Sequence, residues 1–118
     1  MPSIIVTGGR PLSGSVRAGG AKNSALKLMA AALLAPGESV IHNVPAISDV
    51  DVMARVLEGL GARVTREDHT VRVDASNVTS VETPYELVAQ MRASIVVLGP
   101  LVARFGHARV AMPGGCNI

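Results

Sequence analysis

Two stretches of this chain have helical spacing yet are apolar on every face, and no other feature limits its possible folds so tightly. The first runs from about Asn23 to Ala35: Leu26, Met29, Ala30, Leu33 and Leu34 form a helical stripe, while Ala25, Leu28, Ala31 and Ala32 fill the other faces. The second is built the same way from Ile95, Val96, Val97, Leu98, Leu101 and Val102. Such a helix has no solvent side, so both are expected to be buried on most faces. Lys22-Asn23-Ser24 opens the first and Arg92-Ala93-Ser94 the second, 70 positions on. The closing glycines Gly37 and Gly106 are 69 apart, and Pro45 and Pro113 are 68 apart. This is compatible with an internal repeat and equally with chance. On the repeat reading, the second copy stops five residues after Pro113, so the chain is expected to end in mid-repeat.

Between these stretches the pattern alternates helix and strand. Ser3 to Val6 and Leu12 to Val16 read as short strands around Gly8-Gly9-Arg10-Pro11, and Gly19-Gly20 links them to the first helix. Pro36-Gly37 ends that helix, and Ser39 to Asn43 reads as a strand. Ser48 with Asp51 resembles a capping box, and Val50, Met53, Val56, Leu57 and Leu60 line one face of a helix closed by Gly61. Arg63 to Arg66 and Thr70 to Asp74 form a predicted hairpin, with Arg63, Arg66, Glu67, Asp68 and Arg72 on its solvated face and His69 in its turn. Thr83-Pro84-Tyr85-Glu86 carries a cap, a proline for the first helical position and a reciprocal glutamate. The helical stretch that follows is expected to run toward Arg104, broken near Met91 to Ala93 and kinked at Pro100. Gly106 stops it, and His107 to Met112 is expected to be a strand leading into Pro113-Gly114-Gly115-Cys116.

Composition excludes several classes of function. With 118 residues, 48% apolar and 17% charged, the chain has the balance of a globular domain. Tyr85 and Phe105 are its only aromatics and the formal charge is +2, which argues against a single-strand nucleic-acid groove with stacking platforms. One cysteine excludes a disulfide framework and a multi-cysteine zinc site. His42, His69 and His107 lack metal-ligand spacing, so no metal site is supported. The apolar run Ala93 to Ala103 is interrupted by Gly99-Pro100 and too short to span a bilayer, and Met1 to Val6 has no basic signal-peptide head. A reducing, cytoplasmic compartment is expected.

Two kinds of residue carry candidate chemistry. Lys22 lies between a glycine-rich link and a helix start, where free amide N–H groups and the helix dipole favour an anion. It reads as an anion contact or as a solvated lysine, since the stretch is neither a Walker A loop nor a dinucleotide fingerprint. Arg92 holds the equivalent place in the second copy, so the two cations either converge on one anion or are unrelated surface charges. Cys116 is either a small buried hydrophobe or, given Pro113-Gly114-Gly115 before it, the thiol of a lid. Near Lys22 and Arg92 its thiol would ionise more easily and serve as proton donor or nucleophile. Asp49 and Asp51 do not share a helix face and read as complements to the helix dipole.

Taken in order, these motifs have a family resemblance. Gly20-Ala21-Lys22-Asn23, Asn43-Val44-Pro45 with Asp49-Val50-Asp51, Leu60-Gly61-Ala62, Met91 through Ile95, Leu98 through Gly106 and Pro113-Gly114-Gly115-Cys116 resemble the amino-terminal part of the bacterial UDP-N-acetylglucosamine 1-carboxyvinyltransferases, in the enolpyruvyl transferase family. The resemblance implies transfer of the enolpyruvyl group of phosphoenolpyruvate to the 3-hydroxyl of UDP-N-acetylglucosamine, the first committed step of peptidoglycan synthesis, with no cofactor. It implies that Lys22 contacts phosphoenolpyruvate, Asn23 helps hold substrate and Arg92 binds the nucleotide sugar. Cys116 would be the loop proton donor and the residue alkylated by fosfomycin.

The implied fold is α/β, part of an inside-out α/β barrel made of repeated helix-and-strand units with helices inside. Residues 1–21 would be opening strands that pack with the other lobe, 22–90 the first repeat unit and connector, and 91–118 the start of the second unit with the cysteine loop. Family members are several times longer, so the remainder of the enzyme is expected to be needed for the fold and for turnover. The partners implied are the two phosphorylated substrates, with neither nucleic acid nor membrane. Two alternatives stand beside this reading. One is a shikimate-pathway relative, against which the Cys116 loop argues; the other is a non-catalytic anion-binding or assembly module with a buried, unreactive Cys116.

Overall fold

The computed structural model describes residues 2–111, and of residues 92–94 the backbone alone. Its elements are α1 (Lys22–Ala31) continuing into a 3-10 turn (Ala32–Leu34), β1 (Glu38–Ile41), α2 (Ser48–Gly59), β2 (Arg63–Glu67), β3 (Thr70–Asp74), α3 (Tyr85–Val88), a 3-10 helix (Arg92–Val97) and α4 (Leu98–Phe105). The three strands form one antiparallel sheet in the order β1-β3-β2. The two-residue turn between β2 and β3 is made possible by Asp68, which takes a left-handed φ of 52°.

Register sets the two faces of the sheet. Val73 lies opposite both Ser39 and Val64, and Val71 opposite Ile41 and Arg66, so these side chains share one face. Val71 and Val73 are buried there, beneath Leu26 and Met29 of α1 and Met53 and Leu57 of α2, in a single hydrophobic cluster that also takes in Met91, Val97 and Leu101. The outer face carries Glu38, Arg72 and Arg63, and remains exposed. Helices thus cover one face of a sheet whose other face is polar.

Several elements differ from expectation, each for an identifiable reason. Residues 2–20 contain neither helix nor strand, and Ile4, Ile5, Val6, Leu12 and Val16 are each at least 85% exposed. The expected strands at 3–6 and 12–16 therefore do not form, because a strand is held by the ladder of a neighbour and no described segment supplies one. Both apolar helices keep an uncovered face: Leu28 and Leu34 are about half exposed, and Ile95, Leu98 and Val102 are also open. The Ser48 capping box is not made. Ile47, partly buried against the core, is the residue before α2, so Ser48 is already its first helical residue.

The second half shows the same kind of displacement. α3 is one turn long and begins after Pro84, because Thr83 is buried and its hydroxyl accepts the amide of Ala111 instead of capping a helix. The break near Met91 is present, with Met91 extended at φ −147°. Pro100 does not kink a helix, since it is the third residue of α4, where a missing N–H leaves no helical bond unmade. Gly106 ends α4 in a left-handed conformation at φ 83°, as its position in the sequence predicts. Of the expected strand 107–112, the described part makes only a parallel bridge, Glu82 to Arg109, because the partner segment turns into α3 at Pro84.

Candidate active site

Lys22 is the first residue of α1 and Asn23 the second, and both are exposed. Ala21 before them is extended and offers no side-chain acceptor, so the leading amides of α1 stay open to an anion. The approach to this helix start is locked by Gly20, where any Cβ would overlap the carbonyl oxygen of Asn43. Asn43 takes a left-handed φ of 57°. Val44 is then tied to the hairpin turn twice: its amide donates to the carbonyl of His69 at 2.8 Å, and its carbonyl oxygen is 3.1 Å from His69 Nδ1. An open cleft of about 620 Å³ lies along this junction, lined by Arg17, Gly19, Gly20, His42, Asn43 and His69 among others.

Sequence reasoning assigned Asp49 and Asp51 to the dipole of their own helix; the structure gives each a cation from elsewhere. Asp49 Oδ2 lies 3.3 Å from Lys22 Nζ. Asp51 Oδ1 accepts from Arg66 Nη1 at 2.8 Å, and Arg66 Nη2 donates to the carbonyl of Pro45 at 3.0 Å. Arg66 is therefore on the helix-facing side, not the solvated face expected for it. No spacing rule could have found these pairs, because their members are 27 and 15 residues apart. The Gly19-Gly20 doublet was the one local sign that the backbone comes close to something here.

Arg92 opens the 3-10 helix Arg92–Val97, and α1 packs against that helix. Its side chain, and the whole of Pro113-Gly114-Gly115-Cys116, lie outside the described residues. The structure thus brings the two apolar helical stretches together and places Lys22, while the convergence of Lys22, Arg92 and the thiol stays an expectation. Among the described residues no group of His, Asp and Glu side chains is placed to hold a metal ion, and no helix is long and apolar enough to cross a membrane.

The chain is similar to known proteins along nearly its full length. Residues 6–118 match the family model described as EPSP synthase (3-phosphoshikimate 1-carboxyvinyltransferase). A UDP-N-acetylglucosamine 1-carboxyvinyltransferase from Trichlorobacter lovleyi is 51% identical over 118 residues, covering 100% of this chain and 28% of the relative. One from Myxococcus xanthus is 52% identical over 121 aligned positions, covering 100% of this chain and 29% of the relative. Among solved structures, the enolpyruvyl transferase NikO from Streptomyces tendae superimposes with a TM-score of 0.72 at 36% identity, over 84% of this chain and 23% of that one. The chain therefore spans under a third of the length of the curated relatives it matches.

Proposed function

The chain belongs to the EPSP synthase family and has the α/β fold of part of an enolpyruvyl transferase, and on that premise we propose that it acts in enolpyruvyl transfer from phosphoenolpyruvate to the 3-hydroxyl of UDP-N-acetylglucosamine. The observation that carries this reading is identity of about half, over the whole chain, to relatives bearing that enzyme's name. Peptidoglycan synthesis, with its bearing on cell shape and division, a cytoplasmic location and sensitivity to fosfomycin follow from the same reading.

The chemistry assigns each residue a task. The sugar oxygen bonds to C2 of phosphoenolpyruvate, giving its proton to a general base, while the thiol of Cys116 delivers a proton to C3. The tetrahedral adduct then loses a proton from C3, the C2–O bond to phosphate breaks, and the enol ether forms as phosphate leaves. Lys22, at an uncapped helix start, holds the phosphate; this is supported by its exposure and by the open amides around it. Asn23 helps to hold substrate and Arg92 binds the nucleotide sugar. Residues 1–21, 22–90 and 91–118 are the opening arm, the first repeat unit with its connector, and the start of the second unit.

The family model's own description favours a 3-phosphoshikimate acceptor as a second reading. The Pro113-Gly114-Gly115-Cys116 segment separates the two. The test is to incubate the chain with fosfomycin and UDP-N-acetylglucosamine, alone and together with a polypeptide covering the rest of a relative, and to map the added mass. An adduct confined to Cys116 and lost in Cys116→Ser is expected. Absence of an adduct in the complemented sample overturns the reading.

A further inference from the structure

An anion contact at Lys22 needs the first turn of α1 to hold still, and α1 does not secure that turn by itself. Residues 21–24 are exposed, burial begins only at Ala25, and no side chain caps the helix. A helix end with neither burial nor a cap is where local opening occurs most readily. The support comes from outside the helix. A Cβ at Gly20 would overlap the carbonyl oxygen of Asn43 and lie 3.2 Å from Pro45 Cδ, so the chain enters α1 pressed against the strap 43–45. That strap is gripped by one guanidinium: Arg66 Nη2 donates to the carbonyl of Pro45 at 3.0 Å, while Nη1 donates to Asp51 Oδ1 at 2.8 Å. Asp51 stands in the first turn of α2, a helix anchored by the buried Val50 and Met53. Asp49, the ion-pair partner of Lys22, belongs to the same turn. The planar fork of Arg66 thus ties an anchored helix to the strap on which the approach to Lys22 rests.

We propose that Arg66 is a positioning residue for Lys22, acting through Pro45 and Gly20. The inference rests on the phosphate-holding reading of Lys22 above. The Arg66 side chain is 26% exposed and that of Asp51 57%, so solvent screens the pair. Losing the fork is therefore expected to change the equilibria it supports by no more than about fivefold.

The experiment measures phosphoenolpyruvate affinity by titration calorimetry in the complemented sample, for wild type, Arg66→Met, Lys22→Ala and the double variant. Arg66→Met keeps the apolar stem and removes the fork. It is expected to weaken binding about threefold to fivefold. It should also speed hydrogen exchange at the Ala25 amide, which closes the first turn of α1 by donating to the carbonyl of Ala21. In the Lys22→Ala background the same substitution is expected to bring no further loss, because a residue acting through Lys22 then has nothing left to position. Arg66→Lys, which keeps the charge without the fork, is expected to fall between wild type and Arg66→Met. Should Arg66→Met fail to fold, Asp51→Asn releases the fork from α2 and is expected to give a loss in the same direction. Wild-type affinity in the folded variant, or a loss that adds in full to that of Lys22→Ala, overturns this inference alone. A Lys22→Ala chain that binds phosphoenolpyruvate as the wild type does overturns the phosphate-holding reading and this inference with it.

Discussion

The ammonium of Lys22 and the carboxylate of Asp49 meet at 3.3 Å, joining the first turn of α1 to the first turn of α2 across 27 residues of sequence. Both helices direct the positive ends of their dipoles toward this pair, so Asp49 occupies a place that favours negative charge. A phosphorylated ligand arriving at Lys22 meets a carboxylate already there.

Opposite effects on ligand affinity are expected from the two partners. On the proposed phosphate-holding role of Lys22, Lys22→Ala removes a charge-assisted contact of roughly 1.5–3 kcal/mol and should weaken phosphoenolpyruvate binding about tenfold to a hundredfold. Asp49→Asn removes the competing anion and should tighten binding up to about fivefold. Titration calorimetry of the complemented protein reads both, and because both side chains remain in contact with solvent, neither variant should shift stability by more than about 1 kcal/mol.

Arg104 is a structural cation and should behave differently. Its Nη1 donates to the carbonyl of Leu33 at 3.1 Å and to that of Ala75 at 2.8 Å, and the guanidinium stacks 4.9 Å from the Phe105 ring centre. The first acceptor is at the end of the α1 helical segment, where carbonyls lack partners. Arg104→Met leaves both carbonyls unpaired and should cost about 2–3 kcal/mol in urea unfolding, with Arg104→Lys recovering part of it.

Asp74 sets one feature of the acid limb. Hydrogen bonds from Ser76, its side chain first and then its amide, hold the Asp74 carboxyl below the usual 3.8, with Arg63 helping. A group whose folded pKa is lowered adds stability above its unfolded pKa and loses it as pH falls through the folded value. Asp74→Asn should therefore narrow the stability difference between pH 6 and pH 2 relative to wild type, measured as urea midpoints. An unchanged difference would contradict the assignment.

Exposed apolar helix faces should drive association. Leu28, Leu34, Leu98 and Val102 are each 38–54% exposed on helices that carry few charges. Sedimentation velocity of the isolated chain should show mass rising with concentration, and Leu98→Ser with Val102→Ser should reduce it. A monomer with a sharp, concentration-independent thermal transition would show that these faces are not adhesive.

Most of the helices and the hairpin were legible because their causes are local: a 3.6-residue period over 23–34, glycines closing helices at Gly61 and Gly106, alternation in Thr70 to Asp74. Local rules failed at Ser48, Thr83 and Pro100, where a side chain suited to capping or kinking was claimed by a tertiary contact or by its exact place in a helix. Strands 3–6 and 12–16 failed for the converse reason, since alternation without a neighbouring strand specifies no ladder.

The sequence alone determined where the apolar faces lie, which residues open the two like helices, and the family to which the ordered motifs point. Only the tertiary structure decided that Asp49 neutralises Lys22, that Arg66 turns inward to Asp51, that Gly20 rests on Asn43 and that Thr83 supports Ala111. Each of these joins residues 15 to 28 positions apart, and no periodicity or cap encodes such a pair. Their partners are chosen by how the helices and sheet pack, which follows from burying the whole apolar surface at once and not from any one segment.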